Sequence, residues 1–177
     1  MTTYVALLRG INVGGRQKVA MADLRDLLRG LGYADVRTHL QSGNAVFTSM
    51  AKPAEKVERE IEKAITKEFG LTVRCLVRSR QELAAVVEQN TLPTTDPAKL
   101  LVAFLSAPPA ASYVRGLDPA EFAPEEFRVV DREVYLWCPR GVTESKIVPA
   151  FSEKRLDRVA TARNWRTVTK LLDLAAG

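Results

Sequence analysis

Residues 9–15 read RGINVGG and residues 40–47 read LQSGNAVF, and each sets glycine and asparagine beside a polar or charged group. Each follows an apolar run. Glycines at 10, 14 and 15 free the backbone to turn several N–H groups in one direction, which makes an anion-binding concavity. Arg9 and Lys18 add full positive charges, and Asn12, Gln41, Ser42 and Asn44 add directional hydrogen bonds. The start of a following helix adds a positive partial charge. The pattern is neither the dinucleotide fingerprint nor a Walker loop. Gly-Gly and Ser-Gly-Asn are also good turn residues in their own right. The chemistry expected at these loops is capture of an anionic, phosphate-bearing ligand, either a nucleotide or a nucleic acid.

A second set of candidates lies in GVTESK (141–146) and RNWR (163–166). Ser145 and Lys146 offer a hydroxyl beside an ammonium. Together with Ser42 and Lys18, they allow an alternative reading as a small enzyme on a phosphorylated or carboxylated metabolite. Such chemistry would have to run on Lys and Arg electrostatics, because no paired carboxylates and no histidine stand in the motifs. Trp165 precedes an apolar helical stripe, which favours a core anchor over a base-stacking platform. A third reading is a protein interaction or structural module, since fold alone does not imply function.

His39 is the single histidine of 177 residues, and it lies in a strand-like pattern. It cannot build a zinc cluster with two isolated cysteines, Cys75 and Cys138. No metal and no cofactor are expected. The cysteines read as free buried thiols of a reducing, cytoplasmic compartment. No apolar run approaches the roughly 18 residues that span a bilayer, no leader is recognised at MTTYVALLRG, and no membrane partner is expected. The net charge is +5. Residues 140–170 carry eight basic and three acidic side chains, enough to account for all of it. A local basic surface of this kind suits an anionic partner.

The elements that must position these residues follow from periodicity. YVALLRG (4–10) reads as a buried strand. MADLRDLLRGLG (21–32) reads as a helix closed by Gly32. VRTHL (36–40) and NAVFTS (44–49) form a hairpin around Gln41–Asn44. Pro53 opens a helix striped by Val57, Ile61, Ala64 and Ile65, and Gly70 closes it. LTVRCLV (71–77) reads as a fourth strand, and Ser79 to Glu82 as a capping box. This is the ferredoxin-like order. NTLPTTDP (90–97) reads as a linker.

The second half repeats the order loosely. VALL (5–8) matches VAFL (102–105), and VRTHLQSGNAVF (36–47) matches FRVVDREVYLWC (127–138). A helix is expected around 110–117 and another from about 144. Asn164 is placed to cap a last helix with Val168, Leu171, Leu172 and Ala175 inward. The architecture expected is α+β: two ferredoxin-like (split βαβ) subdomains in tandem, the second degenerate, as antiparallel sheets with helices on one face. Their bounds are 1–78 and 99–177, joined by a helix and linker over 79–98. In this topology the third strand runs beside the first, so residues 9–15 and 41–44 should be neighbours. The 141–146 and 163–166 segments should fall at the opposite end of their own unit.

LLRGINVGG, the MADLRDLL helix, LGYADVRTHLQSGNAVF, Ser145-Lys146 and RNWRTVTKL together resemble the bacterial family called domain of unknown function 1697, nearly end to end. The resemblance implies a two-part fold of ferredoxin-like character and brings no activity, cofactor or substrate. Within its motifs it makes Arg9, Asn12, Gly14, Lys18, Gln41, Ser42, Gly43, Asn44, Ser145, Lys146, Asn164, Trp165 and Lys170 candidate ligand-binding residues. Proline is usual in that family where this chain has Ala20, so the lead into the first helix is less constrained here.

Overall fold

The computed structural model describes all residues, Met1–Gly177. The chain forms two compact units, Met1–Ala85 together with Lys170–Gly177, and Val86–Thr169. In the first unit β1 (Thr2–Arg9), α1 (Met21–Gly30), β2 (Ala34–His39), β3 (Asn44–Ser49), α2 (Ala54–Phe69) and β4 (Arg74–Ser79) follow in order. Their strands form an antiparallel sheet in the order β2-β3-β1-β4. Tyr4, Ala6 and Leu8 of β1 join Leu24, Leu28, Ile61 and Ile65 of the helices in one core. Val5 and Leu7, on the other face, are buried too. That is why β1 reads as an unbroken apolar run and does not alternate.

Both helices end as expected. Gly32 follows α1 at φ 88, and Gly70 caps α2 in the left-handed region at φ 68. The fourth strand starts at Arg74, three residues later than its apolar pattern suggests. The Thr66 hydroxyl holds the Leu71 carbonyl at 2.9 Å, and pairing begins only where Arg74 meets Arg9.

The outer edge of β4 is closed by carboxylates. Glu62 accepts the Cys75 N–H at 2.9 Å, Glu58 the Val77 N–H at 2.9 Å, and Glu82 the Ser79 N–H at 2.8 Å. Four helical residues climb about 6 Å and two strand residues about 6.6 Å, so carboxylates at i and i+4 meet alternate amides. Such capping removes the free donors that make a sheet edge sticky. Ser79 also accepts the Glu82 N–H, completing the expected capping box ahead of α3 (Arg80–Glu88).

The second unit contains β5 (Leu100–Leu105), α4 (Ala111–Arg115), β6 (Glu126–Val130), β7 (Glu133–Trp137), α5 (Ile147–Ala150), α6 (Glu153–Leu156), β8 (Ala160–Asn164) and the start of α7 (Trp165–Ala176). The sheet order β6-β7-β5-β8 repeats that of the first unit. The single helix expected from 144 is instead two short ones. Phe151 leaves helical geometry (φ −111, ψ 29), and Ser152 restarts the chain by accepting the Arg155 N–H. Strand β8 was not expected from the sequence. Its residues, ATARN, have little apolar character.

The repeat is closer in space than in sequence. Val5 pairs with Arg78, and Val102 with Arg163. Both arginines are buried, and each donates to the carbonyl of the residue before it, Val77 at 3.1 Å and Ala162 at 3.0 Å. The loose sequence match of the hairpins holds for β6 but slips by two residues in β7. Leu40 to Gly43 separate β2 from β3, whereas only Asp131 and Arg132 separate β6 from β7.

Candidate functional site

Leu7 lies opposite Asn44, so the loops that follow β1 and precede β3 leave the sheet side by side. The Leu8 N–H donates to the Gly43 carbonyl at 2.9 Å. Beyond Arg9 the chain makes a small hairpin: Asn12 N–H donates to Gln17 O at 3.1 Å and Arg16 N–H to Val13 O at 3.0 Å. Gly14 and Gly15 turn it with φ 58 and 75, the two positive values of a primed turn.

The side chain of Asn12 ties three segments together. Its amide donates to Val19 O at 2.9 Å and to Gln41 O at 2.7 Å, and its Oδ1 accepts the Val19 N–H at 2.9 Å. Asn12 itself sits at φ 55, a region asparagine tolerates. Gly43 is buried at φ 87, and a Cβ there would lie 2.6 Å from Ile11 Cδ1 and 2.9 Å from Leu8 Cβ. Asn44 is fully buried and donates to His39 O at 2.8 Å and to Ser42 Oγ at 3.1 Å. The two stretches are therefore one knot, as the topology required.

The knot is closed inside and charged outside. Arg9, Arg16 and Lys18 are exposed, as are Gly14, Gln41 and Ser42. Neither residues 9–19 nor residues 36–49 contain a carboxylate. Arg16 was not singled out from the sequence. It lies opposite Val13 in the tight turn and, like Lys18, is exposed. Asp23 occupies the first turn of α1, so the positive end of that helix already faces a carboxylate of its own.

In the second unit the candidate residues sit where β5 begins, since Leu100 pairs with Trp137 and Leu101 with Asn164. The Ser145 hydroxyl donates to Glu125 and accepts the Val148 N–H at 3.1 Å. The Cys138 thiol reaches Ser145 Oγ at 3.5 Å, and the Lys146 N–H donates to the other Glu125 oxygen at 2.8 Å. Burial pushes the Cys138 thiol up to about 11, against the opposing pull of Ser145. Glu125 had no sequence signal, being one of two adjacent glutamates and twenty residues from its partner. The Lys146 side chain is exposed.

Asn164 caps α7 by accepting the Thr167 N–H at 3.0 Å, and Trp165 is buried, its backbone N–H donating to Pro97 O at 3.2 Å. Val168, Leu171 and Ala175 are buried and Leu172 half-buried, while Lys170 is exposed. Arg163 does not belong to a basic surface: it is 8% exposed, and its guanidinium donates to Thr161 Oγ1 at 2.6 Å. No group of three or more His, Cys, Asp or Glu side chains is placed to hold a metal ion. No helix is long and apolar enough to cross a membrane.

The family model described as "Protein of unknown function (DUF1697)" matches residues 1–135, and the chain belongs to that family. No curated protein matches it. Among solved structures it is similar to the conserved bacterial protein SP0830 from Streptococcus pneumoniae, with 25% sequence identity, 98% of each chain covered and a TM-score of 0.75.

Proposed function

We propose that this member of the DUF1697 family binds a phosphate-bearing ligand, a nucleotide or a nucleic acid, on the knot formed by residues 9–19 and 40–44. One comparison within the chain carries the reading. The second unit repeats the strand order but makes the same two connections without these loops. Residues 106–110 lead from β5 to α4, and Asp131-Arg132 joins β6 to β7. The fold does not need a glycine-rich hairpin clamped to a four-residue turn. The first unit nonetheless carries one, fixes it with Asn12, and sets exposed cations on segments that themselves hold no carboxylate. Rigid loops bearing exposed Arg and Lys suit capture of an anion, because little ordering entropy is lost on binding.

Thermal unfolding against inorganic phosphate, nucleotides, sugar phosphates and short oligonucleotides tests this. A ligand of the folded state raises the midpoint by mass action, and the rise should shrink with added salt. Arg16→Ala combined with Lys18→Ala should abolish the rise and leave the ligand-free midpoint in place, since neither side chain makes an ion pair or internal hydrogen bond. No rise with any phosphate compound would overturn the proposal.

A further inference from the structure

Leu40 has no evident reason to be leucine on behalf of the fold. It sits at φ 62, where a bulky side chain is a genuine outlier and asparagine or glycine is at ease. It is also 54% exposed, so the strain is not repaid by packing. Its neighbour Gln41 accepts from Asn12, whose own neighbour Val13 is 63% exposed. Two of the chain's five exposed large apolar side chains therefore flank one hydrogen bond at the centre of the cationic knot. Strain held at an exposed position is a mark of functional sites. Resting on the phosphate-binding reading above, we infer that Leu40 and Val13 are the specificity-determining contacts for a nucleoside: the ligand is a nucleotide whose base lies on these two side chains while its phosphates meet Arg16 and Lys18.

The chemistry fits each part of such a ligand. A nucleobase presents a broad face of low polarity, and covering Leu40 and Val13 with it removes apolar surface from water. The cations hold the phosphates at the other end. Inorganic phosphate and sugar phosphates would use only the second half of the site.

Calorimetric titration of the full chain with adenosine diphosphate and with pyrophosphate tests the inference. The nucleotide should bind roughly tenfold or more tightly than pyrophosphate, the return on burying part of two aliphatic side chains. Leu40→Asn should remove most of that preference and leave pyrophosphate binding in place. It should also raise the ligand-free unfolding midpoint, because asparagine relieves the backbone strain. Leu40→Met, which restores an apolar contact, should keep the preference. Equal affinity of the wild type for the two compounds, or an undiminished preference in Leu40→Asn, would overturn the inference while phosphate binding stood. If neither compound binds, this inference falls, and the phosphate-binding reading is then decided by the oligonucleotides and other phosphates of the unfolding panel.

Discussion

The carboxylate of Glu58 accepts the backbone N–H of Val77 at 2.9 Å, on the edge of the sheet where a further strand would otherwise pair. Burial raises the Glu58 carboxyl above its ordinary range, outweighing the pull of the Val77 N–H and of Arg78. Two residues further along α2 the sign reverses. Lys52 at 2.8 Å and the Tyr33 hydroxyl at 2.6 Å hold the Glu60 carboxyl below its ordinary range. A carboxyl raised in the folded state costs stability once it ionises. That cost is absent below the ordinary carboxyl value, grows as pH rises through the raised one, and is full above it. A lowered carboxyl contributes stability above its ordinary value and loses it as pH falls through the folded one.

Glu58→Gln keeps an oxygen for the Val77 N–H and removes the buried charge. At neutral pH it should match or exceed the wild type by up to about 1 kcal/mol, and the gain should vanish in acid. Glu60→Gln should lose about 1 kcal/mol at neutral pH, with the difference shrinking in acid. Denaturant unfolding across that pH range reads both, and parallel curves for the two variants would contradict the assignment.

Gly43 and Gly10 both have positive φ, 87 and 71, but only Gly43 faces neighbours that a methyl group would strike. Gly10→Ala should cost about 1 kcal/mol of backbone strain. Gly43→Ala adds overpacking against Leu8 and Ile11, for a total of about 3 kcal/mol. Equal losses in the two variants would mean that Ile11 moves aside freely and that the knot is looser than its contacts indicate.

Ala20 has φ −69 and ψ 138 ahead of α1, a conformation that proline adopts without strain. Ala20→Pro should stabilise by about 0.4–1 kcal/mol through the unfolded chain, or roughly 1–4 °C in the unfolding midpoint for a chain of this size. A lower midpoint would place the cost at Val19, whose N–H is held by Asn12 and whose backbone a following proline constrains.

The meeting of residues 9–15 with 41–44 was legible because it depends only on the order of elements. A strand-helix-strand-strand order puts the third strand beside the first, and Gly70, Pro53 and the Ser79 capping box announced their elements locally. What the sequence hid is non-local. The clamp by Asn12 and the close approach of Gly43 to Ile11 depend on side chains roughly 30 residues apart. Arg78 and Arg163 look like surface cations in a one-dimensional reading, yet both are buried in equivalent strands. Strand β8 is hidden in the sequence because ATARN lacks the apolar alternation that marks a strand. Glu125 carried no motif and is found only through its partners.

Those partners separate the two halves of the Ser145-Lys146 motif. The Ser145 hydroxyl serves Glu125, the Val148 N–H and the Cys138 thiol, whereas Lys146 contributes only its backbone N–H. Ser145→Ala removes a helix cap and leaves a buried carboxylate short of a donor, a loss of about 2–4 kcal/mol. Lys146→Met should change stability by less than about 0.5 kcal/mol, as exposed substitutions do. Cys138 offers an independent readout of the same cluster. Its thiol is fully buried and titrates at about 11, so it should resist alkylation at neutral pH in the native wild type and in Lys146→Met. In Ser145→Ala it should react faster, as local opening exposes it. If Ser145→Ala proves as stable and as unreactive as Lys146→Met, the hydroxyl is not needed for structure, and a direct role for Ser145 in ligand chemistry becomes the better explanation.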